Sequence, residues 1–597
     1  MTHRSLLIVV SIVAFSFVQL AGQTAPDEKS EVVEAKAGAV APTETAPKFT
    51  SRSMLVLVPV VVSRKNGTHI EGLGRAAFKI EEQGKIREAT IFEEVKTVAP
   101  DPKSRPAKVP EGHSNFNFGD AQNWRMTMIL VDMLNTPYLS QTEGKRRLIA
   151  YLSKQLQRDE PTALFGLSRR GLKELHPFTT DTTVLITALK KLQARAGANE
   201  TETQSAERVA TTSDLVTQLA AIPGGDASVR ESSQQIADFL NDTEAIITAF
   251  QERQSIRTTL TALMEIANAY KVIPGRKTLI WATSGFPFLI NDPRLSTGVD
   301  SDLLQQYEST WRALGAADIA VYTVDVTMHG GVGTGMPIGH YDGTQPSWVS
   351  PAHGGTPRKG TSVAGTLYDK EAQQRDTLRA FAEETGGTSC TNTNELEGCF
   401  ALAIEDSRSY YLLGYYLPSE DVKPGWHKLK VKVNAERAHV RAREGFYVSS
   451  PREDSDEVRN RQMADALRSP VEYTGVILNV REIPVAANTK PAAAGQSTHD
   501  FSVDVLGRSI MVDSQNGNAV DLSVIALAFG ADGKNAGQIE NRLVAKLKPE
   551  ILTRVRNSGL GMRQSLELAP GNYELRFAVR DNLSGEIGSV GYPFEVK

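Results

Sequence analysis

Apolar residues run without alternation from Met126 to Val131 inside the stretch Trp124–Thr136, WRMTMILVDMLNT, and the run stops on a single acid, Asp132. Four to eight consecutive apolar residues are what a strand covered on both faces requires, and such strands form the centre of parallel sheets. A Pro137-Tyr138 break follows, then polar Ser140 to Glu143, then helical spacing over 144–156 with Leu148, Ile149, Leu152 and Leu156 on one side. Comparable apolar runs recur at Thr162–Leu167, at Leu279–Gly285 (LIWATSG) and at Ile319–Val324, the last stopping on Asp325. Between them the pattern predicts a short strand, Gly171–His176, and a helix carrying Val184, Leu185, Leu189 and Leu192, with Thr180 or Asp181 as its N-cap. A long helix is predicted over Asn241–Tyr270 and another over Leu303–Leu314. Repeated strand-helix units of this kind predict an α/β fold with a doubly wound, mainly parallel sheet and right-handed crossovers. An acid at the carboxyl end of a strand stands where open α/β sheets bind ligands.

The flanks read differently. Residues 51–98 are β-rich, punctuated by the turns Lys65-Asn66-Gly67 and Gln83-Gly84-Lys85, with Pro59 suited to an edge position or a bulge. Residues 99–123 are rich in Pro, Gly and Asn and read as a linker. The α/β domain spans 124–450, with a polar insertion at 195–235 and a long Gly/Pro/His loop at 328–365. From Asp406 onward the pattern alternates, as antiparallel strands with one polar face do. A charged linker is read over 451–470, with a short helix Met463–Leu467. Residues 471–597 show short strands separated by Gly, Asn and Asp turns, the signature of a β-sandwich of immunoglobulin-like type.

Length and composition narrow the function classes. A chain of 597 residues exceeds one core and implies several domains. A net charge of −4 gives no general reason to expect nucleic acid or an anionic membrane as partner. His3 and Arg4 precede an apolar run from Leu6 to Leu20 and then small residues, which fits a secretory signal over 1–23 better than a membrane span. The chain is therefore expected to be exported to the periplasm or beyond, without a transmembrane segment once the signal is removed. Residues 24–50 lack large apolar side chains and read as a disordered spacer. With two cysteines only, Cys390 and Cys399, a disulfide between them is the simplest state in an exported protein. Neither a Gly-x-Ser-x-Gly elbow nor a His-Glu-x-x-His motif is present.

Several stretches resemble the von Willebrand factor A-type domain, and more narrowly the secreted A-domain-related proteins common in Acidobacteria. They are Asp132-Met-Leu-Asn-Thr136, Phe178-Thr-Thr-Asp181 leading into a Leu-rich helix, and Pro274-Gly-Arg-Lys-Thr-Leu-Ile-Trp281. To these are added Leu378–Gly387 (LRAFAEETGG), Asp406–Tyr415 (DSRSYYLLGY) and Val440–Tyr447 (VRAREGFY). The similarity covers roughly residues 53–450. It implies a divalent cation (Mg²⁺, or Mn²⁺ or Ca²⁺) at the carboxyl edge of the sheet, with a partner's carboxylate completing its coordination. Asp132 matches the first acid of that site and Thr136 its last hydroxyl, whereas Leu134 stands in place of the first Ser. Asn135 is an adjacent oxygen donor, Ser284 occupies the place of the distal acid, and Thr258 and Thr259 are both candidates for the later Thr. Hydroxyl, carboxylate and water oxygens are what a hard divalent cation takes. The competing reading of Asp132 is an acid that caps its own loop or pairs with Arg or Lys, and Asp325 reads as a turn or cap residue.

The loop at 328–365 holds His329, His340, Asp342 and His353, whose spacing matches no standard zinc pattern. Tyr341 and Trp348 are its candidate partner contacts, and the competing reading of the loop is plain disorder. The expected function is thus that of a non-enzymatic binding or adhesion-type protein that recognises a protein or other extracellular macromolecule. A structural envelope protein with a dead metal site and a secreted hydrolase are the alternatives.

Overall fold

In a computed structural model of the chain, five parallel strands and one antiparallel strand build a central sheet, in the order Ser389–Cys390, Ile319–Asp325, Lys277–Thr283, Thr127–Asp132, Thr162–Ser168, Gly171–Thr179. The structure describes residues 54–65, 67–97, 112–116, 125–154, 161–192, 227–273, 275–286, 301–326, 363–391, 396–418, 420–448, 455–486 and 492–597. The expected signal segment 1–23, the spacer 24–50, nearly all of the 328–365 loop and most of the 195–235 insertion lie outside these residues. All described residues belong to one compact unit, Arg52–Lys597.

The apolar run that marks the central strand is used on both faces. Met128 and Leu130 pack with Leu260, Leu263 and Ile266 of the helix Ala227–Tyr270, while Ile129 and Val131 pack with Leu148, Tyr151 and Leu152 of the helix Tyr138–Lys154. Helices Ser301–Ala316 and Val363–Thr385 cover the first face, and Thr182–Lys191 and Leu396–Arg408 the second. Asp181 caps Thr182–Lys191 by accepting the Thr183 amide at 2.8 Å. Cys390 on the edge strand is bonded to Cys399 on the helix Leu396–Arg408, their Cα atoms 6.1 Å apart. Closing so short a loop contributes about 2–3 kcal/mol in the chain-entropy picture.

Several boundaries differ from the sequence reading. The first helix begins at Tyr138, directly after Pro137, because Gln141 anchors the turn by donating to the carbonyls of Met133 and Thr136. The long helix begins at Ala227 rather than Asn241, so it takes up the end of the polar insertion. Part of the 99–123 linker is an edge strand, His113–Ser114, paired with Asn479 and Val480. The 451–470 linker contains a full helix, Asp456–Arg468, which buries Met463, Ala466 and Leu467. Three helices, Val363–Thr385, Leu396–Arg408 and Pro549–Ser558, stand where no helix is predicted.

The N-terminal β segment does not close on itself. Met54–Ser63 pairs with Ser409–Leu417 on one side and with His439–Ala442 on the other, and Phe78–Glu82 pairs with Gly425–Val433. Pro59 sits just before the second pairing begins at Val60, so its missing N–H breaks no ladder on that side. The two four-stranded sheets that result share one apolar core. At the other end, two more four-stranded antiparallel sheets, running from His113–Ser114 and Leu478–Ile483 to Ile587–Val596, share a second such core.

Four of the stretches that carry the family resemblance, 274–281, 378–387, 406–415 and 440–447, converge at the junction of the central sheet and the N-terminal sheets. Asp406, 1% exposed, takes a forked ion pair from Arg441 and a hydrogen bond from the Tyr322 hydroxyl at 2.8 Å. Arg276 donates to that same hydroxyl at 2.9 Å and to the Gly386 carbonyl at 2.8 Å, and its backbone N–H donates to the Tyr410 hydroxyl at 3.2 Å. Residues 276, 386, 406, 410 and 441 thus hold the architecture together.

A second, half-buried acid near this junction is less well matched. Burial pushes the Glu384 carboxyl up to about 7, the Tyr307 hydroxyl at 3.2 Å pulls it back, and Glu444 adds repulsion. A raised folded pKa means that the native state holds this proton up to about 7, whereas the unfolded chain releases it near the ordinary value of 4.5. The resulting penalty on folding is absent below 4.5 and fully developed above 7. Glu384→Gln should therefore raise stability by about 2 kcal/mol at pH 8 and leave it nearly unchanged at pH 4.5, as read by urea unfolding at the two pH values.

Candidate functional site

Asp132 ends the central strand at the point where the chain order of the sheet reverses. The strand that follows it in sequence lies on one side, and Lys277–Thr283 returns on the other. Its carboxylate is 1% exposed and surrounded by donors. Oδ1 accepts the backbone amides of Leu134 and Asn135, each at 2.9 Å. Oδ2 accepts the Asn135 side-chain amide at 2.8 Å, the Thr283 hydroxyl at 2.9 Å and the Trp281 indole N–H at 3.0 Å. Burial raises the Asp132 pKa, and the donors from Asn135, Thr283 and Trp281 oppose that rise.

The remaining predicted residues gather here in unequal roles. Asn135 also donates from its amide to the Thr259 hydroxyl at 2.9 Å, which separates Thr259 from its exposed neighbour Thr258. Thr136 receives the backbone amide of Ser284 on its hydroxyl at 3.2 Å. The Ser284 hydroxyl is buried and takes no hydrogen bond among the described residues. Ser284 thus joins the cluster through its main chain, and its neighbour Thr283 is the residue that reaches Asp132. Two members escaped the sequence reading, Trp281 and Thr283. Thr283 faces Asp132 because strand residues two apart share a face, and Trp281 lies two positions before it. Asp325 is buried at the end of the neighbouring strand, in register with Thr283.

These residues do not fit a divalent cation. A hard cation needs about six oxygen lone pairs turned toward one point. Both oxygens of Asp132 already receive protein donors, and Asn135 turns its N–H₂ toward the carboxylate. Leu134, where the family carries a hydroxyl, is 2% exposed and belongs to the apolar core. The arrangement instead acts as a hub: one carboxylate ties together the loop after the first strand, the end of Lys277–Thr283 and the long helix.

Beside the hub, the helix Ala227–Tyr270 continues past the sheet. Its 44 residues span roughly 66 Å at 1.5 Å per residue, against about 20 Å for a six-residue strand. Among the described residues the buried contacts run from Ser255 to Tyr270, with Thr259 at the carboxyl edge, so the helix continues beyond that edge. On it Phe239, Ile246 and Phe250 stand 69%, 71% and 65% exposed. Spacings of seven and eleven residues put all three on one stripe of a 3.6-residue helix. Phe250 closes on Leu134 and Arg169 around a small groove of about 180 Å³ at the rim of the sheet. The i, i+7, i+11 spacing is visible in the sequence, but a helix begun at Asn241 leaves Phe239 out of it.

His329, His340, Tyr341, Asp342, Trp348 and His353 lie outside the described residues. Among the described residues, no group of three or more His, Cys, Asp or Glu side chains is placed to hold a metal ion, and no helix is long and apolar enough to cross a membrane. Compared with known protein families and with curated proteins, the chain matches no family and no curated protein.

Proposed function

We propose that this chain is an exported, non-enzymatic binding protein whose central sheet is an A-type domain and whose carboxyl edge recognises a protein partner. The observation that carries the reading is the exposed apolar stripe Phe239–Ile246–Phe250, rising from the rim of the sheet beside Leu134. Contiguous exposed aromatic and aliphatic side chains on a long helix are characteristic of recognition surfaces, where buried aromatic anchors contribute most of the affinity. The complementary surface is therefore an apolar groove. In this reading the Asp132 hub keeps the rim rigid and needs no cation, and the C-terminal sheets form an immunoglobulin-like sandwich that spaces or presents the domain.

The test is site-specific photo-crosslinking from position 246 in the producing cell, followed by binding measurements with the purified captured protein. One dominant partner is expected, with micromolar or tighter affinity that falls at least tenfold in Phe239→Ser/Phe250→Ser. Binding of the purified partner that is unchanged in this variant, or no partner at all, refutes the reading.

A further inference from the structure

At the opposite, amino edge of the central sheet, where it meets the C-terminal sheets, lies a cleft of about 920 Å³. Its titratable walls are His113, Glu174, Tyr270, Glu472, Glu574 and Arg576. Glu174 comes from the outer strand of the central sheet, Tyr270 from the end of the long helix, and Glu574 and Arg576 from the strand Gly571–Asp581.

Tyr270 is the informative side chain. It is only 6% exposed, with its ring edge-on to Phe178 at 5.2 Å and to Phe165 at 6.3 Å. Among the described residues its hydroxyl takes no hydrogen-bond partner, although it lines the cleft and feels the charges of Glu174 and Glu472. The hydroxyl lines the cleft and can hydrogen-bond, as donor or acceptor, to a group that enters it.

The acids point the same way. Arg576 is paired with Glu574 at 3.2 Å. Glu472 accepts one backbone amide, from Gly591 at 2.9 Å, and feels the charge of Arg576, and Glu174 has His176 nearby. Burial raises both pKa values, Glu472 to about 7; the Gly591 amide and Arg576 oppose the rise at Glu472, and the charges of Glu174 and Glu574 add to it. With three acids, Glu174, Glu472 and Glu574, against the one guanidinium of Arg576, the cleft gains most from a ligand that brings positive charge. A neutral polyol would leave their repulsion in place.

We propose that this cleft binds a ligand carrying a protonated amine or guanidinium, such as a basic side chain of a peptide. The cation sits between Glu174 and Glu472 within reach of the Tyr270 hydroxyl. The apolar stem of the ligand lies along Phe178 and the prolines Pro177 and Pro593. Volume and placement between the central sheet and the C-terminal sheets match those of small-ligand sites, and the site is independent of the partner-binding edge.

The probe is the capped tripeptide Ala-Arg-Ala titrated calorimetrically into the full chain, with Ala-Gln-Ala, Ala-Glu-Ala and cellobiose as controls. Binding of the arginine peptide alone is expected, tightening about tenfold from pH 5.5 to pH 8 as Glu174 and Glu472 ionise. Glu174→Gln/Glu472→Gln should abolish it, and Tyr270→Phe should weaken it severalfold. Replacing buried carboxyls by amides relieves their burial penalty, so lost binding in the double variant is not unfolding, and a cooperative thermal transition verifies this. Equal binding of the three peptides, preference for cellobiose, binding indifferent to the double substitution, or no binding at 10 mM overturns the proposal.

Discussion

Asp132→Ala is expected to lower the unfolding free energy by about 3–5 kcal/mol, among the larger effects of a single substitution. Truncation removes an acceptor from five donors, the amides of Leu134 and Asn135, the Asn135 side chain, the Thr283 hydroxyl and the Trp281 indole, of which the Thr283 hydroxyl and the Asn135 side chain keep another, the Gly285 carbonyl and the Thr259 hydroxyl. All of them lie in a buried setting, where each unsatisfied donor costs roughly 1–3 kcal/mol before relaxation. Asp132→Asn retains one acceptor oxygen but puts an N–H₂ against the remaining donors, so about 2–3 kcal/mol is expected from it. Urea unfolding of the three proteins gives the ranking. The same experiment separates a hub from a cation site. Parent unfolding in EDTA, Mg²⁺, Mn²⁺ and Ca²⁺ should superimpose, because a cation would have to displace protein donors from both carboxylate oxygens. A site held at 100 times its dissociation constant would instead add about 2.7 kcal/mol, and an increment of that size in the parent, absent in Asp132→Ala, would refute the hub.

Arg441→Ala should be about as damaging, at about 3–5 kcal/mol, because it leaves the Asp406 carboxylate buried without its forked partner. The Tyr322 hydroxyl and its link to Arg276 depend on the same acid, so the loss spreads across the junction between the central and N-terminal sheets. Asp406→Ala alone should cost less, since Arg441 is 17% exposed, also donates to the Ser63 hydroxyl at 3.0 Å, and can turn toward water. In the double variant the two losses should overlap, leaving a coupling energy of about 1.5–3 kcal/mol in a double-mutant cycle. Additive costs would show that the pair is not the tie between the sheets.

Local pattern determined the parts of this protein whose information lies within a few residues. An uninterrupted apolar run specifies a strand covered on both faces, which is why 126–131, 162–167 and 319–324 were legible as the centre of a mixed, mainly parallel sheet. Asp181 as a helix cap and the Cys390–Cys399 bond were legible for the same reason, since each depends on neighbours close in sequence. What tertiary structure decided is everything set by distant partners. Met54–Ser63 finds its strands more than 340 residues later, and the sequence around it carries no mark of them. Asp132 and Thr136 were legible as a candidate site, but its chemistry rests on Trp281, Thr283 and Thr259, which lie 123 to 151 residues away. A carboxylate in sequence is equally a metal ligand and a hydrogen-bond acceptor. Which role it takes depends on how many donors the fold brings to it, and here the fold brings five.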